Sequence, residues 1–301
     1  MFSYRHAFHA GNHADVLKHL VLIQLLRYLN QKPTPYMVID THAGAGVYQL
    51  DSDYASKSGE SADGIVKLWG RSDLPESVAD YVALIRAMNP AGKLRHYPGS
   101  PWIAERCMRS EDRLRLFELH STDAKLLLDN VRKLEAHAAA NGIQHRGKRV
   151  LAERADGFAA LKALLPPPSR RGLVLIDPPY ENKDDYRKVK VALDEAQKRF
   201  ASGTYAVWYP VLARLESQQL PERLKRGAQA DWLQVTLSVG AAAGEGRGLT
   251  ASGLFILNPP WTLEATLREC LPWLTQTLAR DQSAQFTLTS GSAAKPIKVS
   301  A

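Results

Sequence analysis

The apolar run Leu173-Val174-Leu175-Ile176 stops at Asp177-Pro178-Pro179-Tyr180. Two consecutive prolines cannot continue a central strand, because neither offers an N–H to the ladder. They also stiffen the turn, so the Asp177 carboxylate, the Pro178 carbonyl and the Tyr180 ring project in a fixed arrangement. Two acceptors beside an aromatic face suit a planar amine: the acceptors take its two N–H groups while the ring stacks on the base. A second copy of the pattern exists at Asn258-Pro259-Pro260-Trp261. It ends a late strand that reads as antiparallel, so it faces away from the first turn and takes a structural reading.

A second group of candidates surrounds Asp40-Thr41-His42-Ala43-Gly44-Ala45-Gly46, which follows the apolar run Tyr36 to Ile39. Small residues after a parallel strand let the backbone approach a ligand, and nucleotides bind in the crevice at such strand ends. Glycines alone are equally compatible with a tight turn. The third glycine of the dinucleotide pattern is replaced by Gln49. That argues against a nicotinamide dehydrogenase and leaves a nucleoside-type cofactor open. Glu118, ending the next strand, can take both ribose hydroxyls in a bidentate hydrogen bond. Asp156-Gly157 follows a third strand, where Asp156 can accept an adenine amine or simply cap the next helix. With Asp40 and Asp177, these acids on successive strands outline one nucleoside pocket.

The elements that must position these groups alternate. Strands are expected at Tyr36–Asp40, Leu114–Glu118, Arg149–Ala152 and Leu173–Asp177, with amphipathic stretches such as Ser121–Leu134 and Gly157–Leu165 between them. Such alternation predicts an α/β fold with a mostly parallel sheet covered on both faces. Tyr205–Tyr209, Leu233–Val239 and Gly253–Leu257 bring the count to seven strands. The last two, joined by the loop Gly240–Gly248, suit a hairpin-like antiparallel pair at the sheet edge. An acidic residue gripping ribose normally lies about twenty residues past the glycine loop. Here the corresponding acid is Glu118, and the excess reads as an inserted helical subdomain over 51–97, with Val78, Val82, Ile85 and Met88 at helical spacing. Residues 1–50 hold an arm, a helix and the first strand with its glycine loop. Residues 98–280 complete the domain, and the Ser-, Ala-, Thr- and Lys-rich tail 281–301 is expected to be disordered.

The 301 residues can bury a sizeable core, and 45% hydrophobic with 23% charged residues exclude a disordered or collagen-like chain. A net charge of +8 admits a polyanionic partner. Cys107 and Cys270 stand alone, which excludes a disulfide scaffold and fits a reducing compartment. No export signal or membrane span is visible, so a cytoplasmic protein is expected. His9 and His13 have zinc-compatible spacing, but nothing completes a ligand set, and no metal is expected. The histidines and lysine around this helix start (His6, His9, His13, His19 and Lys18) could instead hold a carboxylate or an RNA phosphate. Of the basic runs, Lys183, Arg187, Lys188 and Lys190 lie just after the Asp-Pro-Pro-Tyr turn, which raises their value as phosphate contacts over a solvated helix face.

Taken together, Tyr4-Arg5-His6, the segment His9 to His19, Asp40 to Gly46, Tyr97-Pro98-Gly99-Ser100-Pro101, Ala155-Asp156-Gly157-Phe158 and Leu175 to Tyr180 resemble the RlmJ family. The likeness runs from Met1 to about Trp273 and includes Trp208-Tyr209-Pro210 and Thr250-Ala251-Ser252-Gly253. That family makes N6-methyladenine in 23S ribosomal RNA with S-adenosylmethionine. The resemblance implies a Rossmann-like methyltransferase domain acting on 23S ribosomal RNA. A monomer is expected, though no residue pattern fixes the oligomeric state. The resemblance also implies that His19, His42, Ser100, Glu118, Asp156, Gly157 and Asp177 contact the cofactor or line its pocket, that Lys18 helps to hold its methionine end, and that Tyr4 and His6 lie over the target adenine.

Asp177, Pro178 and Tyr180 would then hold the amine for in-line methyl transfer. Adenine N6 is a poor nucleophile because its lone pair is delocalised, so positioning and desolvation must supply much of the rate. The same turn also serves N-methylation of DNA adenine or of protein glutamine. A non-catalytic nucleic-acid-binding module would explain the charge but leave the strand-end acids without a role.

Overall fold

Asn12 caps the first helix, α1 (His13–Asn30), its side chain accepting from the Ala14 and Asp15 amides at 3.0 Å. These amides would otherwise lack partners at a helix start. α1 is buried almost all round, and the buried positions include Asp15, Lys18 and His19. A helix of that kind belongs inside a fold, so its charged residues must find partners there. The computed structural model describes residues 6–51, 59–140, 148–241 and 249–293. Among them no helix is long and apolar enough to cross a membrane.

After α1 come β1 (Met37–Asp40) and β2 (Val47–Gln49), then a short 3-10 turn at Glu60–Asp63, α2 (Ile65–Trp69), α3 (Glu76–Met88) and β3 (His96–Pro98). The alternating series resumes with α4 (Ser100–Cys107), β4 (Arg113–Phe117), α5 (Ser121–Ala140), β5 (Val150–Glu153), α6 (Gly157–Leu164), β6 (Gly172–Ile176), α7 (Lys183–Arg199) and β7 (Thr204–Pro210). The last described elements are α8 (Leu215–Gly227), β8 (Trp232–Ser238), β9 (Ala251–Leu257), α9 (Leu263–Leu278) and β10 (Gln285–Gly291). Among the described residues, ten strands form an eight-stranded sheet, ordered β10-β8-β9-β7-β6-β1-β4-β5, and a separate antiparallel pair, β2-β3.

Strands β5, β4, β1, β6 and β7 run parallel. β1 and β6 are buried at every position, as expected when helices cover both faces of a sheet. From β1 the chain steps outward through β4 and β5, then returns to β6 on the other side. The crevice above the C-terminal ends of β1 and β6 is therefore a topological switch point.

Three expectations are corrected. The main sheet has eight strands rather than seven. β8 and β9 do pair antiparallel, but not at the edge: β9 inserts between β7 and β8, antiparallel to both. The edge belongs to β10, within the tail expected to be disordered. Its alternation of Phe286 and Leu288 with polar residues places those two against the core and the others outward, a pattern that average composition conceals. Residues 294–301 of that tail lie outside the described residues.

The inserted segment is bracketed by β2 and β3, which pair with Tyr48 opposite Tyr97. Its helix α3 does not stand apart as a lobe. Val78, Tyr81, Val82 and Ile85 are fully buried in the same cluster as Leu17, Leu20 and Ile23 of α1.

Candidate functional site

The strand order sets the order of functional groups along the crevice. Asp177 stands at the end of β6, the glycine loop at the end of β1, Glu118 at the end of β4 and Asp156 beyond β5. All four borders line a single cleft of about 1150 Å³, counted out to its open mouth. Lys18, His19, His42, Ser100, Gly157 and Pro178 line it too, as does His6. Nearly every expected site residue is thus brought together. Tyr4 lies outside the described residues.

Glycines shape the cleft where two backbones meet. Gly44 has a φ of 59°, and a Cβ there would lie 2.3 Å from the Tyr48 hydroxyl. A Cβ on Gly157 would lie 2.1 Å from the Thr41 carbonyl oxygen, so this glycine lets α6 start directly against the glycine loop. Backbone cannot yield as a flexible side chain can. Gly157→Ala is expected to cost about 1–3 kcal/mol and to weaken cofactor binding. A thermal melt and a calorimetric titration with S-adenosylmethionine check both.

The carboxylates differ in what they hold. Glu118 accepts the Gly44 amide at 2.9 Å on one oxygen and the His120 amide at 2.7 Å on the other. Burial raises its pKa, against the pull of those two amides. A carboxylate has about four acceptor positions, so both oxygens can still receive hydroxyls. Asp156 does cap α6, with Oδ1 accepting from Phe158 and Ala159 at 2.9 and 3.3 Å. Its capping and cleft-lining readings are compatible, because Oδ2 has no hydrogen bond among the described residues. Asp40 is only 2% exposed and lies beneath the cleft rather than lining it. Burial pushes its carboxyl up to about 7, opposed by the Ser100 hydroxyl donating to it at 2.6 Å.

Two histidines are neutral. Burial pushes His42 down to about 4, against the attraction of Asp177 and Asp156, and His19 down to about 3, against that of Asp15. His19 Nδ1 is bonded to the Tyr97 hydroxyl at 2.8 Å, and Tyr97 to Tyr81 at the same distance. His19 Nε2 is buried and has no hydrogen-bond partner among the described residues. A buried polar atom in that state calls for an explanation, and its residue lines the cleft.

A chain of charges links the arm to the turn. His6 Nε2 lies 2.9 Å from Asp15 Oδ2, Lys18 Nζ 2.9 Å from Asp15 Oδ1, and Lys18 Nζ 2.7 Å from Asp177 Oδ2. Burial disfavours charge on Lys18, but Asp15 and then Asp177 outweigh it and hold the ammonium above its ordinary range. Burial also opposes ionisation of Asp15, yet His6 and Lys18 keep its carboxyl well below the ordinary value. Asp15 was not among the candidate site residues read from the sequence. Its function as the fixed counter-ion of Lys18 needed the all-round burial of α1.

Tyr180 departs from expectation. Its φ of 53° turns the ring inward, its hydroxyl donates to the Trp208 carbonyl at 2.6 Å, and only 2% of it is exposed. It packs on Tyr186, with ring centroids 4.7 Å apart. The ring anchors the turn from below and offers no face to the cleft. Rings that do line it include those of His6, Tyr48, His42 and Phe158.

The copy at Asn258 takes the structural reading. Its side-chain amide donates to the carbonyls of Ala201 and Gly203 at 2.8 and 2.7 Å, at the end of antiparallel β9. His9 and His13 turn to different partners, Glu60 and the Leu249 carbonyl. No group of three metal-ligating side chains exists among the described residues.

A family profile described as "Ribosomal RNA large subunit methyltransferase D, RlmJ" matches residues 33–288. The chain belongs to the RlmJ family. Ribosomal RNA large subunit methyltransferase J of Haemophilus influenzae is 46% identical over 289 residues, 96% of this chain and 98% of the relative. The Escherichia coli K12 protein of the same name is 46% identical over 274 residues, covering 91% and 93%. A solved structure from Legionella pneumophila superposes with a TM-score of 0.82 at 35% identity, covering 94% of this chain and 98% of that one. The RlmJ profile spans β1 through β10 up to Leu288, so every acid around the cleft lies within it.

Proposed function

We propose that this cleft binds S-adenosylmethionine and methylates N6 of an adenine in 23S ribosomal RNA, as a cytoplasmic enzyme acting as a single chain. The observation that carries the reading is Asp177 on its double-proline turn beside the glycine loop, in a chain of the RlmJ family. When bound, the cofactor supplies an electrophilic sulfonium methyl group.

The residues fit that cofactor. Glu118 is suited to the ribose hydroxyls, and Asp156 with Gly157 to the adenine end. If His19 Nδ1 accepts from Tyr97, its unpartnered Nε2 carries the proton and can donate to the methionine carboxylate, beside the Lys18 ammonium. His42 and Ser100 complete the walls.

Asp177 and the Pro178 carbonyl hold the target amine by accepting its two N–H groups, which localises the nitrogen lone pair. To do so, Asp177 must share its carboxylate between Lys18 and the amine. The second oxygen, Oδ1, makes that possible. Once methylated the amine is acidic, and Asp177 is placed to take its proton without being a strong base. With Tyr180 committed below the turn, stacking on the base falls to the arm, where His6 lines the cleft and Tyr4 precedes it. N6 lies within a base pair, so the target must be unpaired or flipped out.

The test is transfer of labelled methyl from S-adenosylmethionine to protein-free 23S ribosomal RNA. Wild type and Asn258→Ala should both yield labelled N6-methyladenine, at rates within about twofold. The variant should lose about 1–3 kcal/mol of stability from its two unpaired carbonyls. Label on protein but none on RNA would overturn the substrate assignment.

A further inference from the structure

A second groove opens beside the cleft, between α6 and α7, and shares Asp156, Phe158 and Lys188 with it. Its floor is apolar, formed by Leu161, Ala192 and Ala196, with Val191 half exposed. Its rim carries Lys162 from α6 and Arg187, Lys188 and Arg199 from α7. Opposing charge is limited. Arg187 and Lys188 share one carboxylate, Asp184, at 2.8 and 3.5 Å. Glu195 is paired with Lys198 at 2.9 Å, and Lys162 has no salt-bridge partner among the described residues.

A run of charges on one helix is ordinarily a solvated face. Here the cations come from two helices, border a shared apolar floor, and continue from the cleft wall. A basic track over apolar surface is how single-stranded nucleic acid is held, with phosphates on the rim and bases on the floor. From Arg187 to Arg199 the helix runs about 18 Å, several times the roughly 3.4 Å rise of a stacked strand.

We propose that this groove receives the single-stranded RNA flanking the target adenosine. The assignment rests on the RNA-methylation reading above. It separates two tasks: the cleft selects and holds the amine, and the groove supplies sequence-independent affinity. Removal of groove cations therefore weakens RNA binding without altering the chemical step.

The experiment uses the full chain with protein-free 23S ribosomal RNA. It compares Lys162→Glu/Arg199→Glu, the milder Lys162→Ala, and the control Arg268→Glu, an exposed cation on α9. The double variant should raise KM for RNA about tenfold and leave kcat and S-adenosylmethionine affinity within twofold. It should also reduce the slope of log affinity against log salt by about 1–2. Lys162→Ala, which loses no hydrogen bond or ion pair recorded in the structure, should raise KM two- to fivefold. KM values within twofold of the Arg268→Glu control would overturn the groove. Direct RNA binding by filter retention separates the two readings. Wild type that binds RNA but does not methylate it sinks the function, while the ratio of variant to wild-type affinity still decides the groove. Wild type that binds no RNA overturns both.

Discussion

Asp177→Asn is expected to lower the rate of methyl transfer to 23S ribosomal RNA by about 10²–10³-fold, with S-adenosylmethionine affinity within about tenfold of wild type. The substitution preserves the volume of the side chain but replaces one acceptor oxygen with a donor. That donor meets either the target amine or Lys18 Nζ, now 2.7 Å from the carboxylate, and neither can accept from it. The turn itself should survive, because it is held by two prolines and by the Tyr180 hydroxyl on the Trp208 carbonyl. Lys18 should stay charged, since Asp15 contributes more than Asp177 to keeping its proton. Single-turnover kinetics at saturating cofactor isolate the step. A near wild-type rate in Asp177→Asn would remove Asp177 from the chemistry and leave it only as a counter-ion for Lys18.

Much of this arrangement was legible from residue order. Parallel strands ending in Asp40, Glu118 and Asp177 must put those acids at one end of the sheet, because their C-terminal ends all point the same way. The direction of β9 likewise follows from its place after the alternating series, and it assigns Asn258 to the opposite end. Tyr180 was not legible. Whether a ring after two prolines faces the ligand or the core depends on its backbone angle, and the pocket that takes it is closed by Tyr186 of the next helix and by Trp208 of the next strand. β10 was missed for a related reason. An exposed edge strand needs only Phe286 and Leu288 on its inner face, and its remaining residues resemble a linker.

The helix α1 marks the same limit more sharply. A surface helix ordinarily buries one stripe, yet here the sheet lies on one side while α3, α4 and α9 cover others. That enclosure converts Asp15 and Lys18 from surface residues into a buried ion pair that reaches Asp177. A stability cost accompanies it, since two charges must leave water. The pair is tolerated because each group is satisfied: Asp15 by His6, Lys18 and the Gly11 amide at 2.9 Å, and Lys18 by two carboxylates.

Removing one member should therefore be far worse than never having had either. Lys18→Met fills the same space but leaves Asp15 buried with only His6 and the Gly11 amide, and leaves Asp177 without its cation. A loss of about 3–5 kcal/mol is expected, measured by urea titration at pH 7, together with loss of methyl transfer. Asp15→Asn/Lys18→Met removes both charges and should recover part of the stability but none of the activity, because Asp177 still lacks its partner. The pH dependence carries the same signature with a defined sign. Asp15 is depressed below its ordinary 3.8, so its contribution is complete above that value and fades as pH falls through the lower folded value. Lys18 is raised above its ordinary 10.5, so its contribution is complete below that value and fades as pH climbs toward the higher folded one. Wild type should thus lose stability at both extremes, and the double variant should show a flatter profile at each. Equal curvature in the two proteins would show that the pair contributes no linkage and that α1 is held by its apolar contacts alone.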